Sequence, residues 1–117
     1  MATKQEAVEA VVKNSDQFRS DFARWLCDNF PIYEKFESHG RIMGAKRSRY
    51  SARTIVEFIR HHTALRENDG EFKITNNVIP DMARLFSMLN PQYADLFEFR
   101  STHMRDSVTV AQIARAA

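Results

Sequence analysis

The chain is poor in cysteine, glycine and proline. Its 117 residues include one cysteine, Cys27, three glycines and three prolines. A single cysteine excludes an intramolecular disulfide, and the lack of a cysteine cluster leaves no thiolate set for structural zinc. The composition fits a reducing compartment. The few glycines and prolines also leave little to interrupt regular secondary structure.

Long apolar runs are missing as well. No stretch approaches the roughly 20 consecutive apolar residues needed to cross a bilayer. The first twelve residues interleave Lys4, Glu6 and Glu9 with apolar side chains, so they lack the uninterrupted apolar core of a signal peptide. We therefore expect a soluble, cytoplasmic protein that has no membrane partner.

Motifs for catalysis and metal binding are not found. There is no Gly-rich phosphate loop, GxSxG elbow or paired-carboxylate motif. His61 and His62 are adjacent, so on a helix they point about 100° apart and cannot chelate one ion. Spacing places Cys27 near the buried side of its helix and His62 on an apolar stripe, which predicts a shielded thiol and a core histidine. We expect a non-catalytic protein without cofactor or metal.

Helical periodicity dominates what is present. A hydrophobic content of 44% with nine Phe can fill one core. The main core helix is predicted from four side chains at i, i+4, i+7 and i+8, with Ser15 or Asp16 as its cap: Phe18, Phe22, Trp25 and Leu26. Further helices are predicted to start at Pro31, at Pro80 and at Asn90-Pro91. The Pro80 helix carries Met82, Leu85, Phe86 and Leu89 at core spacing.

The middle of the chain combines a helix with a less regular part. Gly40 and Gly44 are expected to interrupt regularity. Ser51 can cap a helix that runs to about Leu65 and carries Ile55, Phe58, Ile59 and His62 on one face. Alternation at residues 72–75 predicts one short strand, which pairs near Ile42 and Met43 or serves as a connector.

The expected fold is mainly α, a compact multi-helix single domain over residues 1–117, with one short β-hairpin as an option. Residues 1–14 and 101–117 form peripheral helices or frayed ends in this interpretation. A helix-turn-helix variant is one arrangement of these elements. In it the Ser51 helix enters a groove and the turn at residues 69–73 acts as a wing. The rival recognition element, at residues 91–99, carries Asp95 and Glu98, which would repel phosphate.

Charge is concentrated in one segment. Residues 40–62 contain a single acid, Glu57, and six bases: Arg41, Lys46, Arg47, Arg49, Arg53 and Arg60. The segment therefore carries +5, whereas the whole chain carries only +2 and the remainder sums to −3. Such polarisation indicates a surface that binds an anion, most commonly phosphate.

Each residue of the predicted nucleic-acid site has a role in this hypothesis. Ser51 contributes the anion site at the helix start, and Tyr50 stacks on a base or ribose. Phosphate contacts come from the basic residues Lys46, Arg47, Arg49, Arg53 and Arg60. The alternative is an ordinary solvated helix face on which Glu57 pairs with Arg53 and Arg60.

Five segments of the sequence form a pattern: Tyr50-Ser51-Ala52-Arg53-Thr54-Ile55, Phe72-Lys73-Ile74, Asn76-Asn77, Ala83-Arg84-Leu85-Phe86 and Phe97-Glu98-Phe99-Arg100. This pattern resembles a family of small uncharacterised proteins that are frequent in phages and prophages. The resemblance covers residues 50–100. Thr75 departs from the family pattern, in which three successive Asn follow Phe-Lys-Ile. The resemblance implies a mobile-element origin, and hence a bacterial host cell, but no mechanism.

Other side chains leave alternatives open. Asn76 and Asn77 are predicted to cap the Pro80 helix or form a turn, and a base-reading role is the less favoured one. Arg84 and Arg100 are each expected to pair with Asp81 or Glu98 from a neighbouring turn, and neither position alone indicates a site. In the protein-interaction alternative, aromatic side chains near the surface anchor a partner, although most of the nine Phe are still expected in the core. The aromatics concerned are Tyr93, Phe97 and Phe99.

The function that these observations favour is non-catalytic binding of nucleic acid, or association with it, with DNA favoured over RNA. The alternative is a protein-interaction module that inhibits or adapts a host complex, either one that handles nucleic acid or one that acts in defence.

Overall fold

A computed structural model describes residues 1–64 and 76–97 of the chain. This part folds as a compact, mainly α domain, which confirms the expected fold class. It contains five α-helices: α1 (Lys4–Lys13), α2 (Phe22–Asp28), α3 (Phe30–Lys46), α4 (Ala52–His62) and α5 (Ile79–Leu89). Short 3-10 turns occupy Ser15–Gln17, Asn76–Val78 and Pro91–Tyr93.

The β-structure of the described ranges is one isolated parallel bridge, between Tyr50 and Phe97. The predicted strand at residues 72–75 lies outside these ranges, as do the predicted wing at 69–73 and the tail at 101–117. The proposed partner of that strand was wrong, because Ile42 and Met43 lie inside α3.

Helix α1 is a packed element of the domain. Thr3 and Glu6 form a capping box, in which the Glu6 amide donates to Thr3 Oγ1 at 3.1 Å and the Thr3 amide donates to Glu6 Oε1 at 2.9 Å. Ala7 and Val11 are buried, and the helix packs against α2 and α5. Residues 4–13 are therefore part of the folded core and not a frayed end.

Helix α2 begins later than the sequence predicted. Ser15 and Asp16 belong to a 3-10 turn, and Phe18 is extended ahead of the helix. The predicted apolar group still forms, since Phe18, Phe22 and Leu26 are buried and the Phe18 and Phe22 rings stack with centroids 5.5 Å apart. The shielded thiol was a wrong prediction: Cys27 is exposed, because the residue after a buried helical position turns about 100° away from it.

Helix α3 begins at Phe30, one residue before the predicted start, with Asn29 at the N-cap position and Pro31 in the first turn. The expected break at the two glycines was wrong, because the helix continues through both to Lys46. An added Cβ would lie 2.7 Å from Phe86 Cε2 at Gly40, and 2.7 Å from Tyr93 Cδ1 at Gly44. These glycines let two aromatic rings approach the helix backbone.

Ile55, Val56 and Ile59 of α4 are buried, and so are Met82, Leu85 and Phe86 of α5. The helix predicted at Asn90-Pro91 is only the turn Pro91–Tyr93. Beyond it, Phe97 is 3% exposed, with its ring centroid 5.4 Å from that of Phe36 and 5.1 Å from that of Phe86. Tyr93 is half-buried against the core. Neither Tyr93 nor Phe97 is therefore a surface anchor, and Phe99 lies outside the described ranges.

Candidate nucleic-acid interface

The candidate site lies at the five-residue turn, residues 47–51, that joins α3 to α4. The Tyr50 amide donates to the Leu96 carbonyl at 2.8 Å, and the Tyr50 ring packs against the core. The Arg47 guanidinium carbon lies 6.0 Å from the centre of that ring. Tyr50 therefore anchors the turn on residues 96–97, and Arg47 lies over one face of the ring that was predicted to stack on a base.

Three of the predicted phosphate-binding side chains surround this turn in solvent. Lys46, Arg47 and Arg53 are exposed, and within residues 1–64 and 76–97 none of them forms an ion pair with a carboxylate. Arg49 is exposed beside them. We call Lys46, Arg47 and Arg53 the turn surface.

Ser51 is the N-cap of α4, as predicted. Its Oγ accepts from the Thr54 amide at 3.2 Å, and its carbonyl accepts from the Ile55 amide at 3.3 Å. The hydroxyl oxygen is thus already used in capping the helix. Ser51 sets the direction of α4 and places Arg53 in its first turn.

Arg41 has a structural position. Its Nη1 donates to Asn90 Oδ1 at 2.6 Å, and Asn90 Nδ2 donates to Glu37 Oε2 at 2.9 Å. Glu37 is 1% exposed and also accepts from Tyr33 Oη at 3.3 Å. Burial, and then the neighbouring Glu37 carboxyl, raise the pKa of Tyr33 well above its ordinary value. Arg41 therefore ties α3 to the end of α5 and is half-buried.

Arg60 is also removed from the surface that the sequence predicted. Its side chain is 14% exposed and bonds Glu57 through Nη1. This hydrogen bond is the largest cause of the lowered pKa of Glu57, and His61 Nε2, 3.5 Å from Glu57 Oε2, adds to it. The pairing of Glu57 with Arg60 that the alternative predicted is confirmed, but Arg60 is largely buried rather than solvated, and Arg53 does not join the pair.

A row of three rings lies where α3 and α4 meet. The Phe58 ring centroid is 4.7 Å from that of His39 and 4.9 Å from that of His62. Phe58 is 38% exposed and His62 is exposed, so the predicted core histidine was wrong. Sequence reasoning treated Phe58 as core because it shares helical spacing with Ile55. The spacing of Phe58 and His62 was recognised in the sequence but assigned to the buried face, and only the packing of α4 shows that both rings lie at the margin of that face.

The remaining predicted residues lie elsewhere. Asn77 is exposed, and Val78 occupies the N-cap of α5 without a side-chain cap bond, so Asn77 does not take the predicted N-cap position. Arg84 pairs as expected with Asp81, which is 1% exposed, at 3.2 Å. Burial raises the pKa of Asp81, and Arg84 opposes that rise. Arg100 and Glu98 lie outside the described ranges.

A shallow groove of about 430 Å³ lies between α1 and the end of α5. No residue of the cationic segment lines it: its walls are Glu6, Glu9, Ala10, Lys13, Asn14, Met88, Leu89 and Pro91. In the described ranges, no three His, Cys, Asp or Glu side chains come together as a metal site, and no helix is long and apolar enough to span a membrane. Comparison with protein-family models, with curated proteins and with solved structures gave no match.

Proposed function

We propose that this protein binds nucleic acid, without catalysis, through the turn surface. One observation carries the proposal: Lys46, Arg47 and Arg53 are brought together in solvent around one turn, and no carboxylate of the described residues neutralises them. A group of exposed cations with no acid paired to it is the electrostatic pattern of a phosphate-binding surface.

The geometry favours contact by the turn over insertion of α4 into a groove. The solvent side of α4 carries Glu57 between Arg53 and His61, and a carboxylate at the centre of an inserted helix would repel the backbone phosphates. Arg47 and Arg53 flank the helix start, where the backbone dipole also favours an anion. The phage or mobile-element origin is part of this proposal and depends on the resemblance of residues 50–100.

The test is fluorescence anisotropy with labelled DNA and RNA, both duplex and single-stranded, at several salt concentrations. The variant Arg47→Ala/Arg53→Ala should bind every form more weakly. On duplex DNA the slope of log K against log salt should fall by about 1.8, because each phosphate contact contributes about 0.9. The control is Arg24→Ala with Lys13→Ala, which removes the same charge from α1 and α2.

If the control weakens binding as much as the turn variant does, only net charge matters and the turn surface is not the site. If wild-type protein binds no nucleic acid even at low salt, the proposal fails. The protein-interaction alternative would then be favoured.

A further inference from the structure

A regular stripe of side chains runs along the side of α3 that meets α4. Lys35, His39, Ile42 and Lys46 occupy i, i+4, i+7 and i+11, so they share one side of the helix. Lys35 and Lys46 are exposed, Ile42 is 52% exposed and His39 is half-buried. The stripe therefore places a cation at each end and an aromatic and an aliphatic side chain between them.

Helix α4 adds an aromatic ring to the centre of this stripe. Phe58 contacts His39 on one side and His62 on the other, with the ring planes tilted by 54° and 35°. We call Lys35, His39, Ile42, Lys46, Phe58 and His62 the α3–α4 seam. Phe58 is the most exposed phenylalanine of the described residues and lies outside the buried core cluster. Its exposed area is therefore not needed to hold the fold together.

The charges of the seam match a polyanion. Its two lysines are eleven residues apart, which is about 16 Å at 1.5 Å per residue. That length corresponds to four or five stacked nucleotides at about 3.4 Å each. Lys46 also belongs to the turn surface, so the seam continues it. Glu34 is the acid next to Lys35 along α3, and it lies about 100° around the helix from that residue.

Partly exposed rings between cations indicate a particular form of nucleic acid. Bases in a duplex are stacked on each other, whereas a single strand presents base faces that stack on aromatic side chains. Burial, and then the charge of Lys35, lower the pKa of His39, which keeps its imidazole neutral beside Phe58 at pH 7. An uncharged, flat neighbour extends the apolar surface on which a base can lie.

We infer that the α3–α4 seam holds single-stranded nucleic acid, with a base against Phe58 and phosphates at Lys35 and Lys46. This inference rests on the proposed function and narrows it. The turn surface supplies sequence-independent attraction to any nucleic acid, and the seam supplies the preference for an unpaired strand.

The test compares three probes at low salt by anisotropy: a labelled single-stranded 20-mer of mixed sequence, the matching duplex, and an abasic oligonucleotide of the same length. Wild-type protein should bind the single strand most tightly. Phe58→Ala should weaken binding of the single strand at least about fivefold, which is the lower end of the effect of losing one stacked base. Phe58→Ala should leave the affinity for the abasic oligonucleotide unchanged, because that probe keeps its phosphates and has no bases to stack on the ring.

Two further variants separate stacking from other effects. Phe58→Trp should retain affinity for the single strand, because the larger ring also stacks. Val12→Ala removes an apolar side chain that is 61% exposed on α1, and it should leave the affinity for all three probes unchanged. Circular dichroism melts of each variant establish that the fold is kept.

The inference is overturned if Phe58→Ala has no effect, or if it weakens abasic and base-containing strands by the same factor. It is also overturned if duplex binds as tightly as single strand. In each of these cases the proposed function survives, provided that Arg47→Ala/Arg53→Ala still weakens binding. Absence of binding to all three probes overturns both.

Discussion

Asn90 Nδ2 donates to Glu37 Oε2 at 2.9 Å, joining two buried polar residues that are 53 positions apart in the sequence. Glu37 also accepts from the Ala2 amide at 3.1 Å and from the Tyr33 hydroxyl. Asn90 in turn accepts from Arg41. This network joins the start of the chain, α3 and the end of α5, so it fixes the helix that leads into the turn surface.

Asn90→Ala should destabilise the protein by about 2 to 3 kcal/mol, because it removes the hydrogen bonds that the buried Asn90 makes with the charged groups of Glu37 and Arg41. The control is Asn14→Ala, which removes a half-buried amide that donates to the Ala10 carbonyl at 2.9 Å. That change should cost about 1 kcal/mol or less. Urea unfolding followed by circular dichroism measures both. Equal losses would show that the network adds nothing beyond a local hydrogen bond.

Gly40→Ala should destabilise the protein even though alanine favours helices. The new Cβ would lie 2.7 Å from the ring of Phe86, which is fully buried, and such overpacking costs about 1 to 3 kcal/mol. The higher helix propensity of alanine than of glycine stabilises the folded protein by at most about 1 kcal/mol. Thermal melts should therefore show a lower melting temperature for Gly40→Ala than for the wild type.

The same substitution in a Phe86→Leu background tests the cause. A smaller side chain leaves room for the Cβ, so Gly40→Ala should cost less there than in the wild type. Ser38→Ala, on another side of α3, should be close to neutral in both backgrounds. A constant cost of Gly40→Ala in the two backgrounds would contradict the contact with Phe86.

His39 should titrate below its ordinary pKa of 6.5, chiefly because it is partly desolvated and secondly because Lys35 is near. Lys35→Gln should raise the pKa of His39 only part of the way back to 6.5, because burial, the larger cause, remains. Lys13→Gln, which removes an exposed lysine of α1, should leave it unchanged. Imidazole proton shifts followed by NMR from pH 4.5 to 8 report each value. If Lys35→Gln leaves the pKa of His39 unchanged, the charge of Lys35 does not contribute to lowering that pKa.

The lowered pKa also fixes the sign of a stability change. Between the folded pKa of His39 and 6.5 the unfolded chain binds more protons than the folded one, so stability rises with pH across that window. Above 6.5 this contribution is complete, and below the folded pKa it is lost. His39→Gln should therefore flatten the pH dependence of the urea midpoint below pH 6.5, and it should leave the dependence above pH 7 unchanged.

Local features of the fold could be predicted from the sequence. The Ser51 cap, the Pro31 helix start and the buried stripe that contains Phe22 and Leu26 depend on residues within a few positions of each other. The continuation of α3 through Gly40 could not be predicted. A glycine reads as a helix breaker unless the aromatic ring it accommodates is known, and Phe86 is 46 positions away in the sequence.

At the candidate site, too, contacts with distant residues limited what could be predicted for the cationic segment, residues 40–62. Its charge was evident from composition, but its division into structural and exposed parts was not. Arg41 is drawn inward by Asn90, on a distant turn, and Arg60 by its position at the edge of the buried face of α4. The exposure of the Phe58 ring could not be predicted for a related reason. Helical spacing places Phe58 at the margin of the apolar stripe of α4, and the width of the buried part of that stripe depends on packing.

Arg53 and Arg60 lie on one helix and carry the same charge, so their alanine variants form a matched pair. Arg60→Ala removes a side chain that is 14% exposed and packed beside Glu57, and it should lower the melting temperature by about 4 °C, as expected for a loss near 1 kcal/mol. Arg53→Ala removes an exposed side chain and should leave the melting temperature nearly unchanged.

Binding should show the opposite order. Arg53→Ala should reduce the salt slope on duplex DNA by about 0.9, because one phosphate contact is lost, whereas folded Arg60→Ala should keep the wild-type slope. Measuring both variants at a temperature at which each is fully folded separates the two effects. If Arg60→Ala reduces the slope as much as Arg53→Ala does, the phosphates contact the whole outer side of α4. The proposal that binding is confined to the turn would then be wrong.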